Sequence, residues 1–120
     1  FNLYYKNFSM LFTGDIEEIA ENEILNLYSS NKNILSADVL KVGHHGSKTS
    51  TTEDFLNTVN PKIAVIGVGK NNNFGHPNMN VLDRLMNLNT SIYRTDLNGE
   101  IMIDVNNTSK YKIKTKISCN

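Results

Sequence analysis

The sequence predicts an α/β domain with a mixed β-sheet and helices, and three observations carry that reading. Short apolar runs rich in β-branched residues alternate with segments whose apolar residues recur at helical spacing. Two of the runs, Met10-Leu11-Phe12 and Val39-Leu40-Lys41-Val42, give way to polar motifs, Thr13-Gly14-Asp15 and Gly43-His44-His45-Gly46-Ser47. The ends of strands are where α/β folds gather their chemistry. The alternation of strand and helix repeats along the chain, as crossover units require.

Each element has its own signal. Residues 3–5 and 8–13 read as a hairpin around the turn Lys6-Asn7. Ile16, Ile19, Ile24, Leu27 and Tyr28 mark an amphipathic helix over residues 16–29. Residues 37–42 read as a buried strand. Ser50-Thr51-Thr52-Glu53 is a capping-box pattern that opens a short helix ending at Val59, with Phe55, Leu56 and Val59 inward. Pro61 introduces a strand over residues 63–68, and His76-Pro77 starts a third helix with Val81, Leu82 and Leu85 on one face. Residues 91–94, 100–105 and 111–117 alternate as strands, the first two joined across Asp96-Leu97-Asn98-Gly99. The three helices are expected on one face of a single sheet, leaving the other face apolar and unpartnered.

Composition limits the function classes. The 120 residues make one domain or part of one, and 12 basic against 12 acidic side chains give no net charge. No global field therefore draws the chain to nucleic acid or membrane. The apolar runs are too short to span a bilayer, and Phe1-Asn2-Leu3-Tyr4-Tyr5 lacks the basic and apolar regions of a signal peptide. A start without Met fits a chain cut from something longer. The single cysteine, Cys119, excludes an internal disulfide and a cysteine metal site.

Each polar candidate has two readings. Asp15 can bridge metal ions through two carboxylate oxygens, or cap the following helix with Glu18 completing a capping box. His44 and His45 sit between glycines that permit close backbone approach, so metal ligation and loop structure stand level. His76 either caps the next helix or contacts substrate. Lys70, Asn72 and Arg94 either bind phosphate or are solvated loop residues.

The order of the motifs shifts that balance. Phe12-Thr13-Gly14-Asp15, then residues 40–50 around His44-His45, then Gly67-Val68-Gly69-Lys70-Asn71-Asn72-Asn73-Phe74-Gly75-His76-Pro77, then Tyr93-Arg94-Thr95-Asp96-Leu97-Asn98-Gly99 occur in series. Together they resemble the metallo-β-lactamase-like domain at the C-terminal end of ComEC-type DNA-internalisation competence proteins, over residues 9–103. The resemblance implies half of an αββα sandwich built around a dinuclear metal site. It implies that Asp15 is the bridging carboxylate and that one of His44 and His45 is the last imidazole ligand, with His44 favoured. The family's His-x-His-x-Asp-His cluster is missing, since all three histidines follow Asp15. Residues 1–120 are therefore expected to be the C-terminal half of such a domain, a fragment of a larger membrane protein that lies on the outer side of the membrane.

The same resemblance implies a metal-dependent DNA phosphodiesterase in the complete domain, using zinc or manganese, with Asp15 and His44 catalytic. Ser47, Lys48, Lys70, Asn72, His76 and Arg94 become candidate contacts to the DNA backbone. The fragment alone is expected to be inactive and to hold metal weakly. Its expected partners are DNA, the upstream half of the domain, the membrane channel, and a second copy across the exposed sheet face. A small-molecule phosphodiesterase or esterase of the same fold, or a silent DNA-guiding module, are the alternatives.

Overall fold

The structure, a computed structural model, describes residues 1–117, so Cys119 lies outside the described residues. A hairpin opens the chain, with β1 (Asn2–Tyr5) and β2 (Phe8–Phe12) turning at Lys6, whose φ is +54°. Helix α1 (Glu18–Leu27) leads to β3 (Val39–Lys41), α2 (Glu53–Val59) to β4 (Ile63–Ile66) and α3 (Met79–Asn87) to β5 (Ser91–Arg94). One helical turn, α4 (Thr95–Asn98), enters a second hairpin of β6 (Ile101–Val105) and β7 (Tyr111–Thr115).

The first five strands form one sheet in chain order, antiparallel between β1 and β2 and parallel from β2 through β5. The expected mixed α/β architecture is present. Successive crossovers that step the same way with the same hand place their helices on the same face. One cluster accordingly gathers Phe55, Leu56 and Val59 of α2, Val81, Leu82 and Leu85 of α3, and Ile24 and Leu25 of α1 against Leu40, Ala64 and Ile66. All four residues of β4 are buried, as a strand covered on both faces requires.

The opposite face is not bare, and the sheet is not single. Hairpin β6–β7 is a separate two-stranded sheet. Its alternate residues Ile101, Ile103, Val105, Tyr111 and Ile113 pack on Phe8, Val39, Ile63 and Val65. Phe8 meets Tyr111 edge-on at 5.6 Å. Met102, Asp104, Lys112 and Lys114 point outward, with Asp104 and Lys114 paired. The surface expected to drive self-association is thus partly occupied by the chain's own C-terminal strands. Strands β5 and β6 do not form the expected hairpin, because Thr95 diverts the chain. Its hydroxyl accepts from Val68 N (2.7 Å) and donates to Val68 O (2.8 Å), holding α4 against the end of β4.

Helix ends also depart from expectation. Asp15 is not a cap: α1 starts at Glu18, its N-cap is Glu17, and no side chain caps it. Ile19 and Leu27 are exposed, while Glu21 takes the inward position. Thr52 caps α2 by accepting from Phe55 N, and Ser50 instead donates to the carbonyl of Gly43 at 3.0 Å. Asn78 caps α3, which displaces His76 and Pro77 from the helix start.

Asp38 staples three strands together at the end of the sheet away from the motifs. Its carboxylate accepts from Ser9 N (3.0 Å), Ser9 Oγ (3.3 Å) and Lys62 Nζ (2.9 Å). Burial opposes its ionisation, but the bonds from Lys62 and Ser9 outweigh it and hold the carboxyl below its ordinary value of 3.8. A lowered folded-state value means that the stabilisation is whole above the unfolded value and is lost as pH falls through the folded one. Asp38→Asn is expected to cost about 1–2 kcal/mol at neutral pH. It should also flatten the acid side of the stability profile, read by denaturant unfolding between about pH 2 and 7.

Candidate functional site

Parallel pairing aligns Phe12 with Lys41 and Lys41 with Val65, so the chain leaves β2, β3 and β4 along one edge of the sheet. Thr13-Gly14-Asp15, Gly43-His44-His45-Gly46 and Gly67-Val68-Gly69 are those exits. The middle exit turns through three successive left-handed residues, His44, His45 and Gly46, at φ +44°, +56° and +80°. Non-glycine residues rarely adopt this region, and such conformations persist only where surroundings enforce them.

The enforcement is visible. His44 N donates to Gly14 O at 2.9 Å, and Asn78 N donates to Gly46 O at 2.8 Å, stitching all three exit loops together. Thr13 Oγ1 donates to Lys41 O at 2.8 Å. Gly46 also lies so close to Pro77 that a Cβ there would sit 2.6 Å from the proline Cβ. Behind the turn, Glu21 is 1% exposed and accepts from the backbone N–H groups of Thr51 and Thr52, at the positive end of α2. Arg84 donates to the carbonyls of Ser50 (3.3 Å) and Thr51 (2.9 Å) from α3.

Out of this frame the polar side chains emerge as a set. His45 Nε2 lies 4.0 Å from Asp15 Oδ1, and its Nδ1 hydrogen-bonds Gly67 O at 2.5 Å. Because a carbonyl only accepts, His45 donates from Nδ1 and turns Nε2 toward Asp15. His44 Nδ1 is 2.9 Å from Glu17 Oε1, which also accepts from Thr49 Oγ1 at 2.8 Å. The ring of His76 stands 5.9 Å from that of His44, centroid to centroid. Burial, then the neighbouring His44 and His45, lower the pKa of His76, so it is neutral at neutral pH.

A carboxylate and an imidazole nitrogen facing one another are donors of the kind that zinc or manganese takes, and a carbonyl on the far nitrogen is the usual orienting contact for a ligating histidine. Among the described residues no group of three or more His, Cys, Asp or Glu side chains gathers to hold a metal ion. Asp15 and His45 are two donors, one fewer than the three protein ligands that a catalytic metal typically takes.

The remaining candidates separate. Ser47 is buried and bonds Thr49 Oγ1 at 2.9 Å, inside the loop. Lys48 and Lys70 are exposed. Asn72 is consumed by its own loop: its amide donates to Gly69 O (3.1 Å) and His76 O (2.8 Å), and its carbonyl accepts from Phe74 N (3.2 Å) and His76 N (2.9 Å). Arg94 is held by Asp96 through two bonds, of 3.1 and 2.6 Å.

Sequence reasoning missed Glu17, Glu21 and Lys41. For Lys41 a signal existed, a charge inside an apolar strand. Its half-buried ammonium donates to Val42 O at 3.1 Å and leans over Gly67, where the missing side chain leaves room. Burial lowers its pKa, and Asp15 partly restores it. Glu17 and Glu21 look like ordinary polar helix residues in the sequence.

No family model matches the chain, and no solved structure matches it. Three relatives are similar over most of its length. ComE operon protein 3 of Bacillus subtilis is 46% identical over 93 residues, 78% of this chain and 12% of the relative. Recombination protein 2 of Haemophilus influenzae is 38% identical over 96 residues, 80% of this chain and 11% of the relative. Competence protein ComA of Neisseria gonorrhoeae is 38% identical over 93 residues, 78% of this chain and 13% of the relative. The chain spans about an eighth of the length of the curated relatives it matches.

Two outcomes test the geometry. Gly46→Ala combines a left-handed backbone with a clash on Pro77 and is expected to destabilise the fold by about 2–4 kcal/mol in urea unfolding. Asp15→Asn removes the charge that supports the Lys41 ammonium, so the Lys41 pKa should drop further in an NMR titration of its Cε. An unchanged value would mean that the two groups do not sense each other.

Proposed function

We propose that this chain is the C-terminal half of a metal-dependent phosphodiesterase domain that acts on DNA, within a membrane protein of competence. The single observation that carries the reading is the approach of Asp15 and His45 across adjacent strand ends, with the far nitrogen of His45 already satisfied. The similarity to a protein named for competence and another named for recombination supports DNA as the substrate class. Among the described residues no helix is long and apolar enough to cross a membrane, so the membrane assignment belongs to the rest of the polypeptide.

In this reading Asp15 and His45 hold the metal, and His45 replaces His44 as the favoured ligand. The metal, when bound, lowers the pKa of water and polarises a phosphoryl oxygen. His44, fixed by Glu17, stands beside the ligand pair and positions substrate. Lys41 places positive charge under the same edge, and the exposed Lys48 and Lys70 hold backbone phosphates without reading bases. Catalytic metal sites use typically three protein ligands and an open position. Two donors fall short, and the upstream residues of the polypeptide supply the rest.

Calorimetric titration of the 120-residue protein with zinc or manganese is therefore expected to give weak binding, and tight stoichiometric binding would show a complete centre. In a longer chain carrying the upstream residues, Asp15→Asn and His45→Ala should each lose metal affinity by about 10-fold or more and abolish cleavage of DNA. His44→Ala should keep the metal and still lose activity. Loss of metal from His44→Ala but not from His45→Ala would reverse the ligand assignment. A faster reaction with small phosphodiesters than with DNA would replace the substrate.

A further inference from the structure

Strand β1 is one edge of the main sheet, and half of its backbone groups face away from its neighbour. Phe1 and Phe12 exchange both backbone bonds, at 2.8 and 3.0 Å. Bonded pairs alternate in an antiparallel ladder. With Leu3 opposite Met10 and Tyr5 opposite Phe8, the N–H and C=O groups of Asn2 and Tyr4 therefore point out along the open edge. Folds usually blunt such an edge with charge or proline, and residues 1–5 carry neither a charged side chain nor a proline. Between this edge and α1 lies an apolar cavity of about 470 Å³, floored by Leu11, Leu35 and Phe55 and rimmed by Tyr4, Leu27 and Ile34. Leu27 is 75% exposed and Tyr4 60%. The rim is nevertheless tied in place. The Asn2 amide donates to Tyr4 Oη (2.7 Å) and to Ile34 O (3.3 Å), joining β1 to the helical turn Lys32–Leu35.

Open backbone groups beside an apolar recess are what an added strand uses: ladder bonds hold it, and its alternate side chains fill the recess. Charge narrows the choice of strand. Helix α1, across the cavity, carries Glu18, Glu21 and Glu23 and no basic residue. A second copy docked edge to edge would bring two such acidic helices to one dyad, whereas an uncharged or basic strand meets no repulsion. The chain covers only 12%, 11% and 13% of the three relatives, so most of their length lies elsewhere. We infer that the open edge of β1 takes a further strand from the upstream polypeptide, apolar where it crosses the cavity and free of acidic residues beside α1. The added strand rests on the reading above only in that the chain continues upstream, and not on metal or DNA.

The test is amide exchange followed by NMR in the 120-residue protein and in a longer chain carrying the upstream residues. In the 120-residue protein the amides of Asn2 and Tyr4 should exchange freely, while that of Leu3, bonded to β2, exchanges more slowly. In the longer chain Asn2 and Tyr4 should gain protection of about tenfold or more, at any protein concentration. Leu27→Ala should leave the melting temperature of the 120-residue protein unchanged, because that side chain is exposed. In the longer chain the same substitution should lower it by about 2–4 °C. Free exchange at Asn2 and Tyr4 in the longer chain, or no effect of Leu27→Ala there, would overturn the added strand and leave the metal and DNA reading standing. Protection that appears in the 120-residue protein and grows with its concentration would make the occupant a second copy instead. Covered amides in a longer chain that neither holds metal nor cleaves DNA would overturn the function proposed above and keep the added strand.

Discussion

Between β3 and α2 the backbone passes through a short left-handed stretch, His44, His45 and Gly46, that no isolated peptide of this sequence would hold. The hydrogen bonds at its two ends, to Gly14 and from Asn78, convert that local cost into a joint between three loops. The joint aims the His45 ring at Asp15 and the His44 ring at Glu17, so side chains adjacent in sequence serve different partners. Glu21 and Arg84 brace the same segment from two helices.

The architecture was legible wherever one residue pattern has one solution. Four apolar residues in β4, the helical spacing of Val81, Leu82 and Leu85, and the polar motifs after β2 and β3 all point to a parallel sheet with chemistry at one edge. The second sheet was not legible, because alternation in residues 101–105 and 111–115 identifies strands without naming the surface they cover. Asp15 was ambiguous for a related reason: an acid before a helix satisfies both a cap and a ligand, and only the helix start at Glu18 separates them. The different partners of His44 and His45 depend on where Glu17 and Gly67 arrive in space, and pairings across that many residues leave no local trace.

Electrostatics at the edge are arranged by distance. Asp15, Glu17 and the three histidines crowd one side, Lys41 lies beneath, and the free lysines Lys48 and Lys70 stand outside. Arg94 is neutralised by Asp96, which holds it away from that role. A neutral chain can in this way carry a local excess of either sign, since the field at a point is set within about a Debye length of roughly 8–10 Å.

Hairpin β6–β7 meets the main sheet through interdigitated side chains and, at its tip, through Lys6 Nζ to Asn107 O (2.6 Å) and Asn7 N to Ser109 Oγ (3.1 Å). It is a ladder complete in itself, fastened to the larger one without sharing a strand register. The sheet face beneath, with Val39, Ile63 and Val65, is therefore kept from water by side-chain packing rather than by a shared strand ladder. Cutting the chain after β5 would leave that face apolar and open, with Phe8 losing the ring of Tyr111 that now lies 5.6 Å away.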